Sequence, residues 1–443
     1  MNALLLQSWE KTLRRHGDKR AVIEAASGNA VTFRELDALS LRWLEQHAGK
    51  SVLRGATVVF AAPNGVGWLT LFLALAKAGA IIVPLDAAEP IAAQRKLADT
   101  LRADFWWDGE RLIALTSARR RGRSETCLVK LTSGTTGTPR ALHFNDRQLL
   151  ADAKQVTSTM GITARDLNYA LIPLGHSYGL GNLTLPLFAQ GIPLVCGTSP
   201  LPHAIATDFA RWRPTVFPGV PAMWRALAGS DVRLGSLRLG VSAGAPLPVE
   251  VARDFATRFG RRLHNFYGSS ETGGIAYDRT GAVTLAGGVG RALRGVDLSL
   301  IGPSRLEVSS AAVVTHGNRR RHKKTGAWVM ADAITLSPRG EVRVLGRRGR
   351  TVKIAGRRVD LEEVTARLRQ IAGVREAWAT VGHENDPLLG AVVATELTAA
   401  ELRTALHADT ASWKMPKKWR IVPTLPLTPR GKPDVAAMRA MLF

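Results

Sequence analysis

The chain has 443 residues, 46% of them hydrophobic and 22% charged, with only Cys127 and Cys196 as cysteines. At about 150 residues per domain, this predicts two to three domains around sizeable cores and excludes a disordered chain, a disulfide framework and a Cys-rich zinc module. Sixty Lys and Arg stand against 36 Asp and Glu, a formal net charge of +24. Such a surface attracts nucleic acid, acidic proteins, phosphorylated ligands or anionic membranes, and it equally suits an Arg-rich composition whose charges are simply solvated.

No apolar run reaches membrane-spanning length, since Trp68–Ala76 and Ala78–Leu85 are separated by Lys77. Met1–Leu6 lacks a basic n-region and a full apolar h-region, so no signal peptide is expected and the expected compartment is the cytoplasm.

Ala21–Glu24 is a short apolar run, and Thr32–Leu44 is predicted helical, with Thr32 as cap and Glu35 three residues later. Thr57–Ala62 reads as a buried strand ending in the turn Pro63-Asn64-Gly65. Trp68–Lys77 reads as an apolar helix stopped by Gly79, and Ile81–Val83 as the next strand, closed by Pro84. Strand, helix and strand at this spacing predict a parallel sheet with crossover helices. The pattern returns at Asp166–Ile172 with Leu183–Ala189, at Leu194–Cys196 with His203–Trp212, and at Thr215–Pro218. Arg119–Arg123 reads as a basic loop, and Arg319–Lys324 is a second basic run.

Composition breaks at Gly346-Arg-Arg-Gly-Arg350. Beyond it a smaller unit is predicted: a strand near Thr351–Ile354, a helix at Leu361–Ile371, strands near Ala377–Val381 and Ala391–Glu396, and a helix at Ala399–Ala408. It ends in a Pro-rich tail from Pro416 to Pro433.

Four segments carry chemistry. The first is Leu131-Thr-Ser-Gly-Thr-Thr-Gly-Thr-Pro-Arg140, after the apolar Cys127–Val129. Gly134 and Gly137 let the backbone approach an anion, and successive amides can form a phosphate nest. Thr132, Ser133, Thr135, Thr136 and Thr138 add donors, and Arg140 adds charge. No Gly-Lys-Ser/Thr triplet closes it, so it is not a Walker A loop. The competing reading is a flexible linker, which rarely runs straight from a buried strand into Pro-Arg.

The second segment is Pro173-Leu-Gly-His-Ser-Tyr-Gly-Leu180. His176 at a strand end can gate a pocket or orient a carboxylate; taken alone, a satisfied core histidine is the commoner case. The third is His264-Asn-Phe-Tyr-Gly-Ser-Ser-Glu-Thr-Gly-Gly274. Here a flat ring can stack on a base, and a lone carboxylate beside phosphates suits Mg2+, although an ordinary turn would look the same. The fourth combines Trp328-Val-Met-Ala-Asp332, Gly346-Arg347, Val352–Val359 and Leu425-Pro-Leu-Thr-Pro-Arg-Gly-Lys432-Pro-Asp434.

These segments, in this order, resemble the adenylate-forming superfamily of acyl-CoA synthetases, aryl-CoA ligases and peptide-synthetase adenylation domains. The resemblance runs from Thr32-Phe-Arg-Glu-Leu36 to Lys432. It implies an α/β fold: a large N-terminal domain, residues 1–347, with mostly parallel sheets flanked by helices, and a small mobile α+β lid, residues 348–443. It also implies a two-step reaction. A carboxylate and ATP give acyl-AMP and pyrophosphate, and a thiol, coenzyme A or the phosphopantetheine of an acyl carrier protein, then displaces AMP.

The resemblance further implies roles. Thr132, Ser133, Gly134, Thr135, Thr136, Gly137, Thr138 and Arg140 would cradle the ATP phosphates. Gly244, Ala245, Pro246, Asn265, Phe266, Tyr267 and Gly268 would form the adenine site, with Tyr267 stacking. Ser270 would contact the α-phosphate, Glu271 would hold Mg2+, and Asp332 and Arg347 would hold the ribose. His176 would line the acyl pocket. Lys432 would bridge the carboxylate and α-phosphate, where a compact cation stabilises developing charge. Gly349 would be the hinge, and Lys353, Ala355 and Gly356 would line the thiol tunnel.

Four places depart from the family pattern: Arg140 replaces the usual Lys, Gly349 the usual charged hinge, Ser269-Ser270 the more usual residue-Thr pair, and Ala331 precedes Asp332 in place of Thr-Gly. Gly175-His-Ser-Tyr178 lacks the acid that would hold an α-amino group. The expected substrate is therefore an aryl or fatty carboxylic acid, with an acidic acyl carrier protein as a possible partner. The rival expectation is a catalytically silent ATP-binding protein whose basic surface binds nucleic acid or an acidic partner. It is disfavoured, because every ATP-site residue type is present and no nucleic-acid motif appears.

Overall fold

In the computed structural model, residues 3–47, 50–115, 125–132, 140–302, 304–314, 326–347, 351–354, 357–382, 388–407, 410, 414–428 and 433–443 are described. The basic runs Arg119–Arg123 and Arg319–Lys324 lie outside them. The chain forms two compact units. The first comprises Met1–Ser299, Glu307–Trp328 and Pro338–Val342; the second comprises Leu300–Leu306, Val329–Ser337 and Arg343–Phe443.

Two sheets dominate the first unit. The six-stranded sheet runs Leu112–Ala114, Phe105–Trp107, Thr57–Ala61, Ile81–Leu85, Leu128–Thr132, Arg140–Phe144 in spatial order, with parallel inner pairs and an antiparallel pair at each edge. The nine-stranded sheet has a parallel centre made of Arg20–Glu24, Leu194–Cys196, Asn168–Ala170, Val216–Gly219, Leu239–Ser242 and Leu263–Ser269. Inner parallel strands are covered on both faces, which is why they read as unbroken apolar runs in the sequence.

Local chemistry sets the connecting helices. The helix Phe33–His47 starts where Thr32 and Glu35 exchange hydrogen bonds: the Thr32 amide donates to Glu35 Oε2 at 2.7 Å and the Glu35 amide to Thr32 Oγ1 at 3.1 Å. The helix Val66–Ala78 is buried on nearly every side and ends at Gly79, whose φ of 71° gives the left-handed cap that glycine adopts without strain. Its rings extend a column of aromatic contacts. Phe60 meets Trp68, Trp68 stacks on Phe72, Phe72 on Phe188, and Phe188 meets Trp9, with centroids 5.3–5.4 Å apart at each step.

Three expectations shift. Pro84 lies inside the strand Ile81–Leu85 and does not close it. The helical segment expected at Leu183–Ala189 begins earlier: Ser177–Gly179 leads into a π-turn, Leu180–Thr184, and then Leu185–Gln190. The Pro-rich tail contains a strand, Lys418–Val422, which pairs in parallel with Leu389–Thr395.

In the second unit, Val374–Val381, Leu389–Thr395 and Lys418–Val422 form a three-stranded sheet. Alternation along its central strand divides two cores. Ala391 and Val393 face the helices Leu361–Gln370 and Ala399–His407 through Val364, Leu368, Leu402 and Leu406. Val392 and Ala394 face Met438 and Leu442, near the helix Val435–Ala440.

Candidate functional site

Parallel strands present their carboxyl ends along one edge of a sheet, and loops leaving that edge form the usual ligand crevice of open α/β sheets. In the nine-stranded sheet these loops carry His176 after Asn168–Ala170, Val220 after Val216–Gly219, Gly244, Ala245 and Pro246 after Leu239–Ser242, and Tyr267 to Glu271 at the end of Leu263–Ser269. In the six-stranded sheet the same ends carry Asn64, Asp86 and Thr132.

The two sets of loops touch. Asn64 clamps the loop before His176: its Nδ2 donates to the Ile172 carbonyl at 2.9 Å, and its Oδ1 accepts the Leu174 amide at 3.0 Å. His176 Nε2 lies 3.2 Å from Asp86 Oδ2. A Cβ on Gly175 would come within 2.9 Å of Pro84, so the loop approaches that strand as only glycine allows. One residue beyond His176, Ser177 donates from its hydroxyl to Ser270 Oγ at 2.9 Å. The expected pocket histidine and the expected α-phosphate hydroxyl are thereby neighbours through Ser177.

The strand carrying the expected adenine site alternates as the pleat requires. Phe266 is buried against Tyr178, with centroids 5.9 Å apart, whereas Tyr267 on the opposite face is half-buried. The Tyr178 hydroxyl donates to the Val241 carbonyl at 3.2 Å, and burial pushes its ionisation far up. Asn265 is buried, and its Nδ2 donates to the Gly288 carbonyl at 2.8 Å. The ladder is irregular between Tyr267 and Gly268, and a Cβ on Gly268 would meet the Gly273 carbonyl at 2.7 Å. Gly244 has a φ of +86°, and Ala245 and Pro246 beside it are exposed.

Asp278 braces this strand from behind. Burial raises its pKa, but amide and hydroxyl hydrogen bonds from Thr284 and Thr280, at 2.7–3.1 Å, outweigh burial and hold it below the usual carboxylate range. Thr284 Oγ1 in turn accepts the Asn265 amide at 2.8 Å.

Glu271 is half-buried, and its carbonyl accepts the Val314 amide at 2.8 Å. Among the described residues its carboxylate forms no ion pair, and no group of three His, Cys, Asp or Glu is placed to hold a metal alone. Thr132 pairs with Arg140 in the hairpin that brackets residues 133–139. The Arg140 guanidinium stacks over Trp328 at 5.2 Å, a geometry suited to Arg at this place.

In the second unit, Asp332 is half-buried on the strand Ala327–Leu336, next in its sheet to Val342–Arg347, whose last residue is Arg347. Lys353 lies on Thr351–Ile354, paired with Arg358. Ser133, Gly134, Thr135, Thr136, Gly137, Thr138, Gly349, Ala355, Gly356 and Lys432 lie outside the described residues.

Sequence reading missed Asn64, Asp86, Lys130 and Asp152. Lys130 carried a usable signal: it is a single cation within the apolar stretch from Cys127 to Leu131, and it is only 4% exposed. No helix among the described residues is long and apolar enough to cross a membrane.

Comparison with known proteins agrees with this architecture. A family model described as AMP-binding enzyme matches residues 9–105 and 88–317. A 2-hydroxy-7-methoxy-5-methyl-1-naphthoate–CoA ligase of Streptomyces carzinostaticus is 30% identical over 380 residues, covering 78% of this chain and 67% of that protein. A feruloyl-CoA synthase of an Amycolatopsis species is 26% identical over 457 residues, covering 91% and 92%. The fold matches that of the O-succinylbenzoate coenzyme A synthetase of Bacillus subtilis, solved in complex with AMP, with a TM-score of 0.80 at 21% identity over 96% of each chain. The chain belongs to the AMP-binding enzyme family and is an AMP-forming ligase that activates a carboxylic acid with ATP and passes the acyl group to a thiol.

Proposed function

We propose that the acid is aromatic and the thiol is that of coenzyme A. The reading is supported by the names of the relatives described above, and the junction of the two sheet edges at His176, Ser177 and Ser270 offers the acid a place beside the expected α-phosphate hydroxyl. The relatives named above act on aromatic acids and on coenzyme A, and the motif around His176 has no carboxylate to hold an α-amino group. The net charge of +24 suits any anionic acceptor, so an acidic carrier protein is the alternative to test.

In this reading the carboxylate oxygen attacks the α-phosphorus, and pyrophosphate leaves. Ser270 donates to the α-phosphate, while residues 132–138 and Arg140 hold the departing phosphates. Tyr267 stacks on adenine beside Gly244, Ala245 and Pro246, and Asp332 and Arg347 hold the ribose. Lys432, from the lid at 348–443, supplies the compact cation for the charge that builds on the phosphoryl oxygens. After adenylation the lid turns about Gly349, and Lys353, Ala355 and Gly356 line the path of the thiol.

Glu271 fits Mg2+ as a single half-buried carboxylate with no competing ion pair among the described residues. Glu271 would hold a hard cation through its carboxylate oxygens. Such a cation would supply charge that offsets the ATP phosphates.

The test is pyrophosphate release with ATP and a panel of benzoic, hydroxycinnamic, naphthoic and straight-chain acids, followed by thioester formation with coenzyme A or a carrier protein. Preference for an aromatic acid and for coenzyme A is expected. Equal or better turnover of straight-chain acids would overturn the substrate class.

A further inference from the structure

Two hydroxyls meet where the acid segment reaches the expected phosphate site. Ser177 opens the short helical turn Ser177–Gly179, directly after His176. A serine at a helix start commonly turns its hydroxyl back onto a nearby backbone amide. Ser177 does not. Among the described residues its hydroxyl makes one hydrogen bond, donated to Ser270 Oγ at 2.9 Å across 93 residues of sequence.

Both ends of that bond are fixed from elsewhere. On the Ser177 side, the Leu180 amide donates to the His176 carbonyl at 2.7 Å, and Asn182 Nδ2 donates to the Tyr178 carbonyl at 3.1 Å. Asn168, fully buried, donates from Nδ2 to the Asn182 carbonyl at 3.2 Å. Side-chain amides thereby pin the π-turn Leu180–Thr184 into which Ser177 leads. On the Ser270 side, the hairpin of Leu263–Ser269 and Gly273–Tyr277 is closed by Ser269, whose Oγ lies 3.0 Å from Thr272 Oγ1 and accepts the Thr272 amide at 3.2 Å. Asp152 Oδ1 holds the same hairpin by accepting the Gly274 amide at 2.9 Å. Of the two neighbouring serines, Ser269 is occupied by the turn, and Ser270 is left with Ser177 among the described residues.

A hydroxyl has one proton to give and lone pairs that accept. Because Ser177 donates, Ser270 is the acceptor of the pair, and its own proton meets no acceptor among the described residues. That proton is available to an anion. A hydroxyl that accepts one hydrogen bond also becomes a better donor of the next, since successive hydrogen bonds polarise one another. A donor aimed in advance at an anion needs no reorientation when charge builds there.

We infer that Ser177 is a positioning residue for adenylation: it fixes the direction of the Ser270 hydroxyl and so holds that proton ready for the α-phosphate. Ser177 acts through Ser270 and not on either substrate. Since it adjoins His176 in the chain, it also links the acid segment directly to the phosphate site. The inference rests on the proposed place of Ser270 at the α-phosphate.

The experiment follows pyrophosphate release in the first turnover, at saturating ATP and with the acid that turns over fastest in the panel above. The proteins are the parent, Ser177→Ala, Ser270→Ala, their double variant, and the isosteric pair Ser177→Thr and Ser177→Val, with melting temperatures recorded beside the rates. Ser177→Ala should slow the step about five- to tenfold, through loss of one neutral hydrogen bond and of its polarisation of the next, while the half-saturating acid concentration stays within about twofold. Ser270→Ala should slow it on the order of 100-fold. The double variant should match Ser270→Ala to within about twofold, because without Ser270 there is nothing for Ser177 to direct. Ser177→Thr, which keeps the hydroxyl, should outpace Ser177→Val by about fivefold.

A role in loop stability alone would instead raise the half-saturating acid concentration and slow the double variant by the product of the two single effects. Either result overturns the inference, as does an unmoved Ser177→Ala or equal rates for the Thr and Val variants. If Ser270→Ala keeps the parental rate, the α-phosphate role of Ser270 fails and the inference fails with it. A slow Ser270→Ala with a multiplicative double variant sinks the inference alone. If Ser177→Ala does not fold, the Thr and Val pair decides.

Discussion

Asn64 offers the sharpest test of how the site is held. Its amide makes two hydrogen bonds to the backbone on either side of Pro173, at 2.9 and 3.0 Å, in a part-buried setting. Asn64→Ala removes both partners at once. Each lost bond contributes about 1 kcal/mol, and each half-buried group left unpaired adds up to about 1–3 kcal/mol unless water reaches it, so a loss of about 2–4 kcal/mol is expected. Asn64→Asp should fare no better. It keeps an acceptor for the Leu174 amide but sets a carboxylate oxygen against the Ile172 carbonyl. The functional consequence should fall mainly on the acid, because the loosened loop carries His176 itself and reaches the nucleotide segments only through the Ser177–Ser270 hydrogen bond. A displacement near 1 Å at a positioning group costs on the order of 100-fold. We therefore expect kcat/KM for the carboxylic acid to fall on the order of 10- to 100-fold, mainly through KM, with KM for ATP within about twofold. Urea unfolding gives the stability change, and pyrophosphate release with each substrate varied in turn gives the kinetics. A variant that loses the expected stability yet keeps its KM for the acid would refute the claim that this clamp positions His176.

Asp278→Asn should cost about 1–3 kcal/mol at pH 7, because an amide cannot accept from all four Thr280 and Thr284 donors. The native carboxyl is held below its unfolded value, so its contribution is present above about pH 4 and fades as pH falls through the folded pKa; urea unfolding from pH 7 to pH 3 should show the gap to the parent closing. Cys127 and Cys196 are buried, and burial pushes the Cys196 thiol up to about 12, so neither should react with Ellman's reagent until the protein unfolds; fast reaction in the native state would contradict the packing. Lys432→Ala should lose adenylation by on the order of 10²–10³-fold while sparing thioester formation from supplied acyl-adenylate, and equal slowing of both steps would remove the two-step role of the lysine.

The parallel-sheet architecture was legible because its strands are buried on both faces and interrupted by turn residues. Thr57–Ala61 and Val216–Gly219 fall within one residue of the expected limits for that reason. What escaped has physical causes. The strand Lys418–Val422 is largely exposed at a sheet edge and flanked by Pro416 and Pro423, so it shows neither apolar alternation nor freedom from proline. Gly179 and Gly181 look like helix breakers, yet they sit inside a helical run. A Cβ on Gly179 would strike the Pro173 carbonyl at 2.1 Å, and one on Gly181 would strike Asp152. They are glycines because other groups pass close by, a reason that local pattern cannot reveal. The motifs themselves were readable as short chemical strings. Their supports were not: Asn64 and Asp152 act on partners 108 and 122 residues away.

That division explains how the site is held together. Asn64 and Asp86 come from loops of the six-stranded sheet, while the groups they hold, Ile172 to His176, leave the nine-stranded sheet. The spacing of His176 from the carboxyl ends of the six-stranded sheet is therefore set by how the two sheets are packed. Between them runs the ring column from Phe60 through Trp68 and Phe72 to Phe188, all of it buried. Close-packed interiors deform little, so this column acts as a spacer of fixed length. The loops then need only short, directional contacts to place His176 and Ser270 to within a fraction of an ångström. Glycine-rich approach makes those contacts possible at Gly175, Gly181 and Gly273. Polar contacts to the segment between Pro173 and Leu180 thus come from both sheets, from Asn64 and Asp86 on one side and from Ser270 and the Val241 carbonyl on the other.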